Sequence, residues 1–187
     1  SAQTLQQCPA DTGSEIAFAG RSNAGKSSAI NTLTRNKSLA RTSKTPGRTQ
    51  LINHFELTPE SRLVDLPGYG YAKAPKTDIK AWTKLTRQFL SGRASLQRMF
   101  LLIDARRGVG PGDEEMMKLM DEAAVPWAAV LTKMDKVKIA EQKSVMEKTI
   151  RQVNRHVAAY PHVWPTSSET GKGIAELRAH LASYSAA

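Results

Sequence analysis

Short apolar runs alternate with longer amphipathic stretches along almost the whole chain. The runs Glu15–Ala19, Leu51–Leu57, Leu63–Val64, Met99–Ile103, Ala128–Leu131 and His162–Trp164 have the length and composition of buried strands. Between them, apolar positions recur at helical spacing over Lys26–Leu33, Ile79–Leu90, Asp113–Ala123, Ala140–Ala158 and Ile174–Leu181. Strands that alternate with helices form a mostly parallel sheet with helices on both faces, since each crossover helix buries its apolar side against the strands. One pair breaks the rhythm. Leu51–Leu57 and Arg62–Asp65 are separated only by Thr58-Pro59-Glu60-Ser61, which is too short for a crossover and predicts a hairpin. The pattern as a whole predicts a three-layer α/β fold on a six-stranded sheet with one antiparallel edge strand.

No repeat, low-complexity tract or Pro/Gly/Ser linker divides the 187 residues, which read as one domain over 1–187 with a flexible lead-in at 1–14. No window approaches the roughly 20 apolar residues of a membrane span, and the first residues carry neither a charged leader nor an apolar run. The single cysteine, Cys8, excludes an internal disulfide or a multi-cysteine zinc site. Together these features point to a cytoplasmic protein with no membrane partner, and a monomer is expected. Two stretches fit no regular element: Arg35–Gln50, rich in Thr, Ser and Lys, and Gly68–Thr77, with Gly68, Gly70 and Pro75. Long loops inside a small domain are commonly functional.

Charge sharpens the picture. With 27 Lys+Arg against 17 Asp+Glu the net charge is +10, which suits an anionic partner. Between Ile16 and Phe55 lie Arg21, Lys26, Arg35, Lys37, Arg41, Lys44 and Arg48 and no acid; from Tyr69 to Arg98 lie Lys73, Lys76, Lys80, Lys84, Arg87, Arg93 and Arg98 against Asp78 alone. Either stretch is also compatible with an ordinary solvated face.

The chemistry begins after the first strand. Gly20-Arg21-Ser22-Asn23-Ala24-Gly25-Lys26-Ser27 fits the eight-residue phosphate-loop pattern between a strand and a helix. Its backbone N–H groups and the helix N-terminus suit phosphate oxygens, Lys26 can reach the β- and γ-phosphates, and the Ser27 hydroxyl can bind Mg²⁺. Asp65-Leu66-Pro67-Gly68 ends the third strand, where Asp65 can hold a Mg²⁺-bound water and the Gly68 N–H can sense a γ-phosphate; an ordinary Pro-Gly turn is the alternative. Thr45 and Thr49 are both candidates for a second hydroxyl on Mg²⁺. Thr132-Lys133-Met134-Asp135 ends an apolar strand, and the Asp135 carboxylate can accept two hydrogen bonds from guanine N1–H and its amine, a pair that adenine lacks; helix capping is the competing role. Thr166-Ser167-Ser168 follows the last strand and can close over the base edge, or simply cap a helix.

These motifs, in this order, resemble those of translation-factor-class P-loop GTPases. More closely, Gly20–Ser28, Thr42-Ser43-Lys44-Thr45-Pro46-Gly47-Arg48-Thr49-Gln50 and Asp65-Leu66-Pro67-Gly68-Tyr69-Gly70-Tyr71-Ala72 resemble the bacterial EngB (YihA/YsxC) family. The resemblance implies a G domain that binds GTP and GDP, hydrolyses GTP, and assists assembly of the large ribosomal subunit through its rRNA, with a link to cell division and septation; with Tyr69 after Gly68 and no water-orienting side chain, hydrolysis is expected to be slow unless a partner helps. It selects Thr49 over Thr45, so that Lys26, Thr49 and Gly68 act in hydrolysis and Ser27 and Thr49 bind Mg²⁺ directly. It also implies that Gly47, Arg48, Thr49, Gln50 and Leu51 line the nucleotide, that Thr132, Lys133, Met134 and Asp135 hold the base, and that Thr166, Ser167 and Ser168 close the pocket. Thr132 stands where Asn is commoner, so a smaller hydroxyl must bridge there. Tyr69 stands where many GTPases place a water-orienting Gln. Asn23 is compatible with a potassium ion beside the phosphates, or with a role inside the loop alone.

Some features stay open or carry little. Tyr69, Tyr71 and Trp82 can stack on unpaired bases or pack on the sheet. His54, His156, His162 and His180 show no ligand spacing, and Met116, Met117 and Met120 form a packing stripe. A GTP switch acting on a protein effector is the competing function. An ATPase or small-molecule kinase would require Thr132–Asp135 to be accidental.

Overall fold

The computed structural model of the protein describes residues 1–40, 51–70 and 75–185. In chain order the elements are β1 (Ser14–Gly20), α1 (Lys26–Thr34), β2 (Asn53–Thr58), β3 (Ser61–Asp65), α2 (Lys76–Gly92), β4 (Leu96–Asp104), α3 (Pro111–Glu122), β5 (Trp127–Thr132), α4 (Ile139–Val153), β6 (Ala159–Pro165) and α5 (Ile174–Ser185), with single 3₁₀ turns at Leu5–Gln7 and Met134–Lys136. The six strands lie in the order β2-β3-β1-β4-β5-β6. Only β2–β3 is antiparallel, and it is the hairpin closed by Thr58–Ser61; the other four pairings are parallel.

Strand alternation sorts the core into two layers. Ala17, Ala19, Val64, Met99, Leu101, Ala129 and Leu131 face α2, α3 and α4, where Phe89, Met116, Met117, Met120 and Val153 meet them. Ile16, Phe18, Leu63, Phe100, Leu102 and Val130 face α1 and α5, which contribute Ile30, Leu33, Leu177 and Leu181. Each of the largest buried side chains contributes about 1.5–3 kcal/mol relative to an exposed one. The C-terminal end of α5 is also held at the sheet edge, where the Arg98 guanidinium lies over the rings of Tyr160 and Tyr184.

Several boundaries differ from the sequence pattern, and three of the differences have a clear local reason. Helix α2 starts at Lys76 rather than Ile79, because the Pro75 carbonyl accepts the Asp78 and Ile79 N–H groups and opens a polar first turn. Helix α4 stops at Val153 instead of running to Ala158. Asp121 of α3 accepts the Ala158 N–H at 3.1 Å and bonds His156 at 2.7 Å, drawing the chain out of the helix and into β6. Strand β2 begins at Asn53, since Ile52 exchanges both backbone hydrogen bonds with Ala2 at 2.8 Å.

That last contact belongs to the segment expected to be a flexible lead-in, which the structure instead ties down at several points. Ala2 is 1% exposed. The Arg93 guanidinium donates to the Pro9 carbonyl (2.8 Å), and Arg62 donates to the Ala10 and Thr12 carbonyls (3.1 Å each). Asp11 accepts the backbone N–H groups of Ala94 and Ser95, both at 2.9 Å. Arg93 itself forms a two-pronged pair with the fully buried Glu15, which Arg62 also approaches at 3.4 Å.

Candidate nucleotide site

The loops that leave the C-terminal ends of the parallel strands gather at one end of the sheet, and all described motifs meet there, beyond β1, β3, β5 and β6. At the end of β1 the loop 21–25 contains two left-handed residues, Asn23 (φ 66°) and Gly25 (φ 88°), a geometry that turns successive N–H groups toward one point ahead of α1. Lys26, the first residue of that helix, forms an ion pair with Asp65 at the end of β3. Burial pushes the Asp65 carboxyl up and the Lys26 ammonium opposes that shift, leaving it above the ordinary value. The Ser27 hydroxyl in the first turn of α1 and the neighbouring Asp65 carboxylate are hard oxygen donors of the type Mg²⁺ prefers. Among the described residues no group of three or more His, Cys, Asp or Glu could form a cage of its own. The donors therefore fit an ion that shares its shell with phosphate oxygens and water, as Mg²⁺ does.

Gly68 packs directly on the phosphate loop. A Cβ there would lie 3.2–3.3 Å from Ser22 Oγ, Cα and N, so any side chain would press on the loop. The next residue extends the sheet, with the Ser22 N–H donating to the Tyr69 carbonyl at 2.8 Å. Leu66 is buried in the core and Pro67 presents its carbonyl to Trp82 Nε1 (2.9 Å), so these two serve the site through backbone. Tyr69 and Trp82 are themselves buried, with ring centroids 5.2 Å apart, and pack instead of offering faces to bases. Tyr71, Gly47, Arg48, Thr49 and Gln50 lie outside the described residues, as do Thr45, Arg41, Lys44 and Lys73; Leu51 is half-buried at the head of the run into β2.

On the other side, the Thr132 hydroxyl donates to the Ala24 carbonyl, which supplies the bridge between β5 and the phosphate loop. Lys133, at φ 57°, places its ammonium on the Asn23 carbonyl (2.6 Å) and on Asp104 at the end of β4 (3.1 Å). Met134 is buried in the core, while its N–H bonds the Thr166 carbonyl (3.1 Å) and locks the two loops together. A hydrogen bond from the Ser167 hydroxyl, with Lys136 at 3.2 Å, holds the Asp135 carboxyl below its ordinary value. Thr166 and Ser167 are buried and support this arrangement; Ser168 reaches the cavity.

That cavity, of about 830 Å³, is bounded by Gly25, Thr132, Lys133, Asp135 and Ser168, and across from them by Asn31, Thr32, Arg35 and Lys37. The second group is not named by any motif. Asn31 sits one helical turn beyond Ser27, and its amide holds the Ala40 backbone through both groups (2.7 and 2.9 Å), fixing the exit of α1. The i+4 spacing is the only sequence signal that could have found it. The second basic stretch also divides. Lys76, Lys80 and Lys84 are exposed along one face of α2, whereas Arg87 pairs with Glu122 (2.7 Å), Arg93 is buried with Glu15, and Arg98 packs on tyrosines.

A family described as 50S ribosome-binding GTPase matches residues 15–133, and the elongation factor Tu GTP binding domain matches residues 84–187. A probable GTP-binding protein EngB of Rhodospirillum rubrum is 52% identical over 184 residues, covering 96% of this chain and 80% of that protein. The chain belongs to the EngB family. Another EngB relative, from Ruegeria pomeroyi, is 57% identical over 168 residues, covering 90% of this chain and 77% of its own. A crystal structure of a probable EngB superposes with a TM-score of 0.69 at 25% identity, covering 91% of this chain and 98% of that one. The structure of Era with MgGDPNP and a 16S rRNA segment shares the fold (TM-score 0.68, 22% identity, 92% of this chain and 57% of that one). As an EngB-family protein this chain is a GTP-binding P-loop protein with the expected six-stranded architecture. Among its described residues no helix is long and apolar enough to cross a membrane.

Proposed function

We propose that this EngB-family protein is a cytoplasmic, monomeric GTPase whose nucleotide state gates docking on a precursor of the large ribosomal subunit, and that normal division and septation depend on it. The observation that carries the reading is the continuity between phosphate loop and basic face: Gly68 abuts Ser22, and Trp82 of α2 bonds the adjacent Pro67 carbonyl. The same helix presents Lys76, Lys80 and Lys84 to solvent. A change at the γ-phosphate position therefore bears on a helix that displays cations, and cations on one face bind RNA through its phosphates. The match to 50S ribosome-binding GTPases supports the large subunit as the partner.

In this reading Asp135 takes the guanine, with Thr132, Lys133 and Met134 shaping its loop and Thr166–Ser168 behind it. Lys26 leaves Asp65 for the β- and γ-phosphates, and the loop N–H groups from Arg21 to Gly25 neutralise charge that builds on the transferred group. Ser27, Thr49 and, through water, Asp65 would hold Mg²⁺, which screens phosphate charge when bound. Gly68 and Thr49 report the γ-phosphate, and Gly47–Leu51 flank the nucleotide. The buried Tyr69 does not orient a water, so hydrolysis is slow without a partner. Asn23 is the side chain for a potassium ion, and hydrolysis then rises when potassium replaces sodium.

Co-sedimentation with large ribosomal subunits tests the proposal. Binding is expected to be strongest with a non-hydrolysable GTP analogue, weaker with GDP, and to fall steeply as salt rises from 50 to 200 mM. Binding that ignores both nucleotide and salt overturns it.

A further inference from the structure

The reading of Gly68 as a γ-phosphate sensor leaves open what holds its N–H in place. Glycine has no side chain to anchor, so its position must be set by its neighbours. Besides the Tyr69 N–H, which donates to the Gly20 carbonyl at 3.4 Å, three contacts fix the segment. Trp82 Nε1 donates to the Pro67 carbonyl at 2.9 Å, the Ser22 N–H donates to the Tyr69 carbonyl at 2.8 Å, and the Tyr69 hydroxyl donates to Asp113 Oδ1 at 2.7 Å. The first two involve neighbouring elements, but the third reaches α3 and is buried at both ends, with Tyr69 7% and Asp113 1% exposed.

We infer that Asp113 is a positioning residue for triphosphate recognition, acting through the Tyr69 hydroxyl to hold Gly68 against the phosphate loop. Asp113 is well suited to the task because its second oxygen accepts the Gly110 N–H at 2.8 Å, which fixes the carboxylate at the start of α3. The ring has little freedom: it packs on Trp82, and a Cβ on Gly112 would lie 3.1 and 3.2 Å from its edge. Burial and the adjacent carboxylate push the Tyr69 phenol well above its ordinary value, so it remains an O–H donor at any physiological pH. The arrangement also gives a use to the tyrosine that stands where a water-orienting Gln is common.

This inference rests on the Gly68 reading and is tested beside it. Affinities for GDP and for a non-hydrolysable GTP analogue are measured by calorimetry for wild type, Tyr69→Phe, Gly112→Ala and Gly68→Ala, with thermal unfolding of each. Tyr69→Phe removes only the hydroxyl, and Gly112→Ala keeps the hydroxyl but presses on the ring that carries it. Both are expected to lower analogue affinity on the order of tenfold with GDP affinity unchanged, as follows from misplacing one N–H donor to a charged oxygen. A merely structural role would move both ligands together, and that result overturns the inference. So does an unchanged preference in Tyr69→Phe when Gly68→Ala has lost it. If Gly68→Ala itself keeps the wild-type preference, the sensor reading fails and takes the inference with it.

Discussion

The two ends of the central sheet use charge in opposite ways. At the N-terminal end of β1, Glu15 and Arg93 are 0% and 4% exposed, and their pairing collects Asp11, Arg62 and three backbone carbonyls into one network. At the C-terminal end the lysines stay within reach of solvent: Lys133 is 31% and Lys136 48% exposed, and even Lys26 retains 12%. A buried pair is costly to break because each partner strands the other away from water. The more exposed pairs of Lys133 and Lys136 exchange one anion for another at little cost. One end is thus built to stay fixed and the other to trade partners with a ligand.

Arg93→Ala should break this contrast most severely. It leaves Glu15 buried without its cation and releases the Pro9 carbonyl, and a loss of about 3–5 kcal/mol is expected. For a chain of this size that lowers the thermal midpoint by about 10 °C. Lys26→Ala removes a basic residue from the other end. GTP turnover, as kcat/KM, should fall by about 10²–10³, with a smaller loss of midpoint than Arg93→Ala. Equal melting losses in the two variants would erase the distinction.

The smallest effect concerns acid. Ser95, through its hydroxyl and N–H, lowers the Asp11 carboxyl from 3.8 to about 2. A depressed folded value means that the stabilisation is complete above 3.8 and disappears as pH falls through 2. Asp11→Asn should therefore cost about 1 kcal/mol at neutral pH, given the partial exposure of the side chain. Its melting curve should converge on that of the wild type between pH 4 and 2.

What was legible beforehand follows the same division between local and distant. Strand runs, helix spacing and the phosphate loop depend on neighbours within a few residues, and each element exists where the pattern puts it, with shifted ends. The hairpin could be read because four turn residues cannot hold a crossover. The Glu15–Arg93 pair spans 78 positions and Tyr69–Asp113 spans 44, and neither residue type signals its partner in advance. The same blindness explains Arg93 and Arg98, which count toward a basic stretch in sequence yet turn inward in the fold. Helix α4 was overrun because the side chain that ends it, Asp121, belongs to α3. Thr132 lies between these cases: the sequence shows that a hydroxyl must replace an amide, and only the fold shows that it reaches the Ala24 carbonyl.

Trp82 has an optical consequence. Its indole N–H is bonded to Pro67 and its ring lies against Tyr69, so its emission depends on the polarity and geometry of the Asp65–Gly68 turn. The other two tryptophans are remote from that turn in the sheet order, Trp127 beside His156 and Trp164 stacked on His180 at the outer edge. With both replaced by Phe, the chain would carry a single tryptophan, at the turn, able to time its rearrangement without a dye.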